Sequence, residues 1–452
     1  MAKLSGIEIY KQLPRTNCGD CGVPTCMAFA MQVAGQKAAL DVCPHVSQEA
    51  METLGAAQAP PMSVVTLGTG ERELEIGGET VLFRHEARFQ HPTAFALRMG
   101  SDVSDEQLAS GIAALDELRF DRIGRTMGID MAAVECVAGA EDRFADVVDR
   151  VTEATDVPLL LMCEDPTTLA PVAERHASRR PLLSAASSEN AAEMLKLAAR
   201  LDLPLVIRAE HVDELAELSQ RTTEAGVKER VLELTAQTAS ERLAGLISLR
   251  RLAIEERVQS LGFPSLVSLG TNCAMDAMTD GIGVISRYAG LVVVESIEPW
   301  AVLALATARL NLYTDPQVPN AVEAKLYEIG DPGPDAPVLV TTNFALTYFT
   351  VAGEVENSGV DAFICVMDTE GLGVLNAYAD RQLTAETLTE AIRAQGGMER
   401  VKHNRLIIPG LIARLRVAIE EASGWDVVIG PEDASGIPLF LREVCGSLET
   451  RT

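Results

Sequence analysis

The sequence predicts an α/β protein in three parts: a small N-terminal cysteine-bearing domain, a central (β/α)8 barrel of the TIM type and a C-terminal doubly wound, Rossmann-like sheet. Three observations carry this. Four cysteines crowd into the first 43 of 452 residues. Eight short apolar runs then alternate with helix-like stretches over about 250 residues, the span of one barrel. After a Pro/Gly-rich break at 330–337 the alternation resumes on a smaller scale.

Composition sets the outer limits. With 47% apolar residues the chain can bury a core in each part, so it is not a disordered polymer. Lys plus Arg is 38 and Asp plus Glu is 65, a formal charge of −27 that repels a phosphate backbone and argues against nucleic acid as a partner. No run of about 18 apolar residues occurs and the N-terminus lacks an apolar signal core, so the expectation is a soluble, cytoplasmic chain without a membrane partner. Nine cysteines, an odd number clustered at one end, point to metal ligation rather than a disulfide framework.

Breaks at 56–61 and 330–337 divide the chain into 1–59, 60–330 and 331–452. The middle part opens with an alternating stretch at 71–89 interrupted by Gly77-Gly78, which reads as a hairpin. The eight barrel strands are expected at 94–99, 128–136, 157–163, 181–185, 204–207, 231–235, 265–269 and 290–294, with helices such as 191–201 between them. The last part offers strands at 338–341, 362–366, 405–408 and 427–429, and a helix at 385–394 with Thr384 as its N-cap.

Cys18, Cys21, Cys26 and Cys43 are spaced C-x2-C-x4-C-x16-C, with Pro44 next. A [4Fe-4S] cluster needs four thiolates converging from different directions: three from a tight loop, one returning from beyond a helix. The apolar, Ala-rich stretch 27–40 can be that helix, and Gly19, Gly22 and Pro24 let loop N–H groups turn toward sulfur. Structural zinc also takes four thiolates, although its knuckles usually come as two C-x2-C pairs. Cys136, Cys163, Cys273, Cys365 and Cys445 lie scattered in apolar runs and read as core residues.

The run Asn17-Cys18-Gly19-Asp20-Cys21-Gly22-Val23-Pro24-Thr25-Cys26 resembles the N-terminus of the large (gamma) subunit of the corrinoid/iron-sulfur protein of the acetyl-CoA (Wood-Ljungdahl) pathway. Thr341-Thr342-Asn343-Phe344-Ala345-Leu346-Thr347-Tyr348-Phe349 and Asp368-Thr369-Glu370-Gly371-Leu372-Gly373-Val374-Leu375-Asn376 resemble its corrinoid-binding loops, in the same order, so the resemblance spans the chain. It implies a methyltransferase component that carries a methyl group on cobalt, from a methyl-tetrahydropterin through a separate methyltransferase to acetyl-CoA synthase/CO dehydrogenase. It implies a smaller partner subunit in a heterodimer, a ferredoxin or reductive activator, and a [4Fe-4S] cluster on Cys18, Cys21, Cys26 and Cys43 that returns Co(II) to Co(I). Corrinoid contacts carry over to Thr341, Thr347, Gly371, Leu372, Gly373, Val374 and Ala434; no catalytic side chain does.

The residues agree with that reading. Ligands of doubly wound sheets lie beyond the carboxyl ends of the strands, where all these segments are expected. Glycines permit close backbone approach and threonines supply short hydroxyl donors. None of the six histidines, His45, His85, His91, His176, His211 and His403, sits in a D-x-H-x-x-G motif, so the cobalt is expected to lack a histidine ligand, and His403 to be a surface residue. The barrel shows no compact triad or H-E-x-x-H arrangement; segments 270–273 and 295–298 read as capped loops and the barrel as a scaffold. Charges at 241–257 read as a solvated helix face. Two other readings stand beside the methyl carrier: an electron-transfer protein whose C-terminal sheet binds a flavin or nucleotide, disfavoured by the lack of a G-x-G-x-x-G loop, and a methyltransferase whose own barrel binds the pterin.

Overall fold

A computed structural model describes residues 6–34, 38, 40–47, 50, 60–270, 273–295, 298–315 and 317–449. The chain forms two compact units, Met1–Arg119 with Gly128–Tyr313, and Phe120–Met127 with Thr314–Thr452. Among the described residues no helix is long and apolar enough to cross a membrane.

In the first unit β1 (Val64–Leu67) and β2 (Leu74–Gly77) pair antiparallel, from Val64 opposite Gly77 to Leu67 opposite Leu74. The hairpin expected at 71–89 is therefore displaced: Gly77-Gly78 ends it and the turn lies at 68–73, where Gly68 and Gly70 adopt φ of 76° and 78°. The reason is tertiary. Val65, Leu67 and Ile76 join the core inside the barrel, and Gly68 and Gly77 lie against Pro158 and Pro264, which precede barrel strands. The hairpin plugs the amino end of the barrel, a gain that local turn chemistry does not register.

The barrel strands are β3 (Ala94–Gly100), then, after a β4–β5 hairpin (Arg119–Arg122, Arg125–Gly128), β6 (Met131–Glu135), β7 (Leu159–Met162), β8 (Leu182–Ala186), β9 (Leu205–Ala209), β10 (Arg230–Leu234), β11 (Ser265–Ser268) and β12 (Ala289–Val294). All eight expected strands are present, and they close in sequence order. Each is buried on both faces, which is why they read as near-continuous apolar runs: all four residues of β7 are buried. The helix Ala191–Leu201 forms as expected. The 241–257 face is not wholly solvated: Arg250, in the helix Ala239–Ile254, is 3% exposed, stacked 4.6 Å from the Tyr288 ring and 4.0 Å from the Glu79 carboxylate.

The second unit is a five-stranded sheet in the order β13 (Leu326–Ile329), β15 (Ala362–Met367), β14 (Val338–Thr342), β16 (Arg405–Ile408), β17 (Asp426–Ile429). Four strands are parallel, and β13 adds an antiparallel edge on β15. The 330–337 break is thus a loop inside this sheet rather than its border. Val338 and Val340 face one apolar layer with the helices Ala385–Ala394 and Arg416–Ser423; Leu339 faces the other with Ala345–Ser358 and Ile437–Glu449. Thr384 caps Ala385–Ala394 through a reciprocal pair with Thr387, as expected of its N-cap position. Because β15 and β16 flank β14 on opposite sides, the strand order reverses at β14, and crevices in such sheets open at the carboxyl ends there.

Candidate cofactor sites

The N-terminal cysteines sit on a small core of their own. The helices Gly6–Gln12 and Cys26–Ala34 pack Ile9, Leu13, Phe29 and Val33 together with buried Cys26 and Cys43 and half-buried Cys21. The described part of the second helix ends at Ala34, and residues 35–37 and 39 of the expected 27–40 helix lie outside the described residues. Gly19 and Gly22 hold φ of 82° and 78°, and the Gly22 N–H donates to the Gly19 carbonyl at 2.9 Å, folding the loop back. Asn17, at φ 51°, accepts from the Cys26 N–H at 2.8 Å and aims its own N–H at the Cys26 sulfur at 3.4 Å. An amide directed at a thiolate is what an iron-sulfur ligand requires, so the residues fit such a cluster.

Three of the four predicted ligands share this core, and the fourth, Cys18, is exposed. Cys18 gathers instead with Asp20 and His45, ligand atoms of the three lying within 4.8 Å of one another. Asp20 and His45 are 2.7 Å apart, and hydrogen bonds from His45 and then Cys18 hold the Asp20 carboxyl below its usual range. Neither Asn17 nor this pair was singled out from sequence; an Asn beside a cysteine in a Gly-rich loop, free to adopt the left-handed region, was the available signal.

In the second unit the predicted corrinoid contacts fall on three loops at the carboxyl ends of β14, β15 and β17. Thr341 and Thr342 end β14, 1% and 0% exposed, and neither hydroxyl has a partner. By strand alternation they face opposite layers of the sheet. Buried, unsatisfied hydroxyls at two successive positions are costly unless something else bonds each of them. Thr347 lies in the first turn of Ala345–Ser358, half-buried. A Cβ on Gly373 would stand 3.8 Å from the Thr347 hydroxyl and 3.7 Å from the Phe344 ring, in ordinary contact with both, so the Gly373 backbone lies close to the two side chains with room for a methyl between them. Gly371 is constrained otherwise: φ is 77°, and a Cβ would meet Pro319 at 2.7 Å. Leu372 packs on the helix layer and Val374 is buried at the start of Val374–Ala379. Ala434 opens the turn Ala434–Gly436, whose Asp433 cap accepts from the Ser435 N–H at 2.9 Å; that bond and the one from the Ser435 hydroxyl hold the Asp433 carboxyl low.

Beside Phe344 a cleft of 350 Å³ is lined by Ile123, Val318, Pro319, Asn320 and Leu346 among others. Ile123 belongs to the tip of the β4–β5 hairpin, a feature not anticipated from the sequence; Ile123 and Gly124 both take positive φ, 50° and 68°, and the Phe349 ring fills the space beside Gly124. His403, the one histidine of this unit, precedes β16 and so lies at the amino ends of the strands. It is half-buried rather than on the surface: its Nε2 meets the Ala336 carbonyl at 2.8 Å and its ring meets Trp425 edge-on at 6.4 Å.

The barrel's charged residues at its carboxyl end are engaged with each other. Arg98 bridges Glu135 and Glu295 at 3.2 and 3.1 Å, and Arg208 bridges Glu233 and Glu164 at 2.8 and 2.6 Å. Residues 271–272 and 296–297 of the two mouth segments lie outside the described residues. Of the other cysteines, Cys163 and Cys365 are buried as expected, Cys136 is half-buried and Cys273 is exposed, an exception to the core reading; the side chain of Cys445 lies outside the described residues. Burial pushes the Cys163 thiol up to about 12.

Comparison with known proteins follows this division. The family profile described as CO dehydrogenase/acetyl-CoA synthase delta subunit matches residues 64–441, and an Fe-S cluster profile matches 13–45. The corrinoid/iron-sulfur protein large subunit of Moorella thermoacetica is 42% identical over 97% of this chain and 98% of its own length. The acetyl-CoA decarbonylase/synthase complex gamma subunits of Methanopyrus kandleri and Archaeoglobus fulgidus are 35% and 36% identical, over 98% and 97% of this chain and 98% of each of their own. The delta-subunit profile begins after the cysteines, whereas these large or gamma subunits match along the cysteine segment as well.

Proposed function

The chain belongs to the family of corrinoid/iron-sulfur protein large subunits, the gamma subunits of acetyl-CoA decarbonylase/synthase complexes, and on that premise we propose that it is a methyl carrier holding a corrinoid in its C-terminal sheet and a [4Fe-4S] cluster at its N-terminus. When bound, the corrinoid would supply cobalt chemistry for methyl transfer, with a methyl-tetrahydropterin, through a methyltransferase, as donor and acetyl-CoA synthase as acceptor. The cluster, when bound, would supply reducing electrons for keeping the cobalt active. A smaller subunit is the proposed heterodimer partner, and a ferredoxin or reductive activator the electron source.

The observation that carries the reading is the carboxyl end of β14: Thr341 and Thr342, on opposite faces of the strand, carry unpartnered, buried hydroxyls, and the bare Gly373 backbone stands next to Phe344 and Thr347. Their hydroxyls can bond the amide side arms of a corrinoid, and the Gly371–Val374 backbone can approach its edge. The cleft beside Phe344 offers an apolar wall to part of the same molecule. His403 stands at the other end of the sheet, so this chain offers the cobalt no imidazole from the second unit. Cys21, Cys26 and Cys43, on the apolar core, and exposed Cys18 would hold the cluster; Asn17 directs an N–H at the Cys26 sulfur. The barrel serves as scaffold.

Metal and spectral analysis of the full-length protein, purified anaerobically, tests this. Iron with acid-labile sulfide, cobalt, and visible bands that change on reduction and on methylation support it. Zinc without iron overturns the cluster, and a flavin spectrum without cobalt overturns the corrinoid. Methyl transfer from a radiolabelled methyl-pterin with no methyltransferase added would assign pterin binding to the barrel.

A further inference from the structure

We infer that Asn343 is the positioning residue that fixes the 368–371 loop in the shape presented to the cofactor, before any cofactor is bound. The inference rests on the corrinoid reading for what the loop is presented to, and on geometry alone for the loop's shape. Asn343 follows β14 directly and is 5% exposed. Its side-chain oxygen accepts from the Thr369 N–H at 3.1 Å, the Thr369 hydroxyl at 3.0 Å and the Gly371 N–H at 3.0 Å. Its side-chain nitrogen donates to Asp368 Oδ1 at 2.9 Å, and that oxygen also accepts from the Glu370 N–H at 3.1 Å. Its main chain donates to the Met367 carbonyl and accepts from the Val322 N–H, both at 2.9 Å. One residue therefore ties the end of β14 to the end of β15 and to the Thr369 and Gly371 amides of the loop, which is closed in addition by its own bond from the Leu372 N–H to the Thr369 carbonyl at 2.9 Å.

The chemistry admits few substitutes. The site needs an acceptor on one side and a donor to a carboxylate on the other, which a primary amide supplies and a carboxylate or hydroxyl does not. The loop also needs restraint, because Glu370 and Gly371 are successive left-handed residues, φ 52° and 77°, and Glu370 has no glycine's freedom. The single Thr369 hydroxyl proton is shared between Asn343 Oδ1 and the Leu372 carbonyl, at 3.0 and 2.9 Å, which links the hold to the residues leading into Gly373 and Val374. A loop ordered in advance spares the cofactor the cost of ordering it.

The test exchanges the two side-chain types in the full-length protein without corrinoid. Asn343→Asp alone sets two carboxylates against each other. Hydrogen exchange at the Thr369 and Gly371 amides should rise, and affinity for added dicyanocobinamide, followed by its visible bands, should fall, each by at least about tenfold, the worth of one charge-assisted hydrogen bond. Amides in β16 should exchange as before, which a general loss of stability would not permit. The double variant Asn343→Asp/Asp368→Asn restores an acceptor facing three donors and an amide facing a carboxylate, and should return both readouts to within about threefold of wild type. The milder Asp368→Asn serves if Asn343→Asp does not fold, and should raise exchange at Thr369 and Gly371 by a smaller factor. Unchanged exchange in the single variants, or no recovery in the double, overturns the inference. Exchange that responds as stated in a wild type that takes up no dicyanocobinamide sustains the inference on the loop and refutes the corrinoid reading instead.

Discussion

Gly371 and Gly373 lie two residues apart in one loop, yet the structure gives them separable jobs, and replacing each by alanine tells the jobs apart. At Gly371 the backbone is left-handed, which costs an alanine about 1–2 kcal/mol. The new Cβ would also stand 2.7 Å from Pro319 Cβ and 3.3 Å from the Pro319 carbonyl oxygen, an overpacking worth about 1–3 kcal/mol. A central value of about 3 kcal/mol lowers the melting temperature of a unit this size by roughly 6–12 °C. At Gly373, φ is −70° and the nearest atoms are 3.7 and 3.8 Å away, ordinary contact. The smaller entropy of the unfolded chain offsets the poorer N-cap, so stability should stay within about 0.5 kcal/mol of wild type.

Binding should run the other way for Gly373. Its alanine methyl takes up the room between Phe344 and Thr347 and keeps the loop backbone from close approach to the proposed corrinoid, so affinity should drop by about tenfold or more with no change in folding. Denaturant unfolding of the cofactor-free protein, followed by fluorescence, reads the first quantity, since Trp425 is buried in this unit whereas Trp300, the other tryptophan, is in a barrel helix. Titration with dicyanocobinamide reads the second. Wild-type affinity in Gly373→Ala would remove the corrinoid from the Gly373 backbone, and wild-type stability in Gly371→Ala would refute the packing argument.

Cys26→Ala should abolish or degrade the cluster, leaving less iron and acid-labile sulfide per chain, because it removes a buried thiolate that receives the Asn17 N–H; full retention of iron would exclude Cys26 as a ligand. The Co(II) form should show no nitrogen hyperfine splitting from a lower ligand in its EPR spectrum; splitting that disappears in His403→Ala would contradict the placement of His403 at the amino ends of the strands. With the Cys163 thiol near 12, only roughly 10⁻⁴ of it is thiolate at pH 8, so alkylation at Cys163 should lag far behind exposed Cys273 and should quicken about tenfold per pH unit; equal labelling in the native protein would show the site to be open. Arg250→Met should destabilise the barrel by roughly 3–5 kcal/mol by stranding the buried Glu79 carboxylate, and adding Glu79→Gln should recover part of the loss; a Tm unaffected by Arg250→Met would mean that the pair does not couple.

What the sequence made legible follows from what each feature depends on. The barrel strands were readable because burial on both faces writes itself as apolar runs, and the cysteine spacing was readable because cluster ligation is a matter of chain reach. The loops at the carboxyl ends of β14 and β15 were readable through the family resemblance and the general rule for doubly wound sheets. Features made by distant partners were not. The β1–β2 register depends on a barrel core assembled from strands up to about 230 residues away, so Gly77-Gly78 looked like a turn when it is a terminus. Arg250 looked like a surface charge because nothing near it in sequence announces Glu79, Phe89 and Tyr288. The strand Leu326–Ile329 pairs across a Pro/Gly break that reads locally as a border.

The same distinction explains why the contacts and their support separate so sharply in the second unit. The residues expected to touch a corrinoid announce themselves by type: small where the backbone must approach, hydroxylated where an amide must be bonded. Asn343 is not among those residues, although it bonds the Gly371 N–H, and looks, in sequence, like any polar residue after a strand. Its importance exists only once β14 and β15 lie side by side with Thr342 opposite Met367, which brings position 343 against 368–371 across 25 to 28 residues of chain. A helix of fourteen residues, Ala345–Ser358, fills most of that separation and returns the chain in parallel to its starting strand. The crossover that forms the sheet therefore also forms the clamp, and a substitution that slipped the β14–β15 register by one residue would misplace Asn343 while leaving Thr341, Gly371 and Gly373 unchanged in identity.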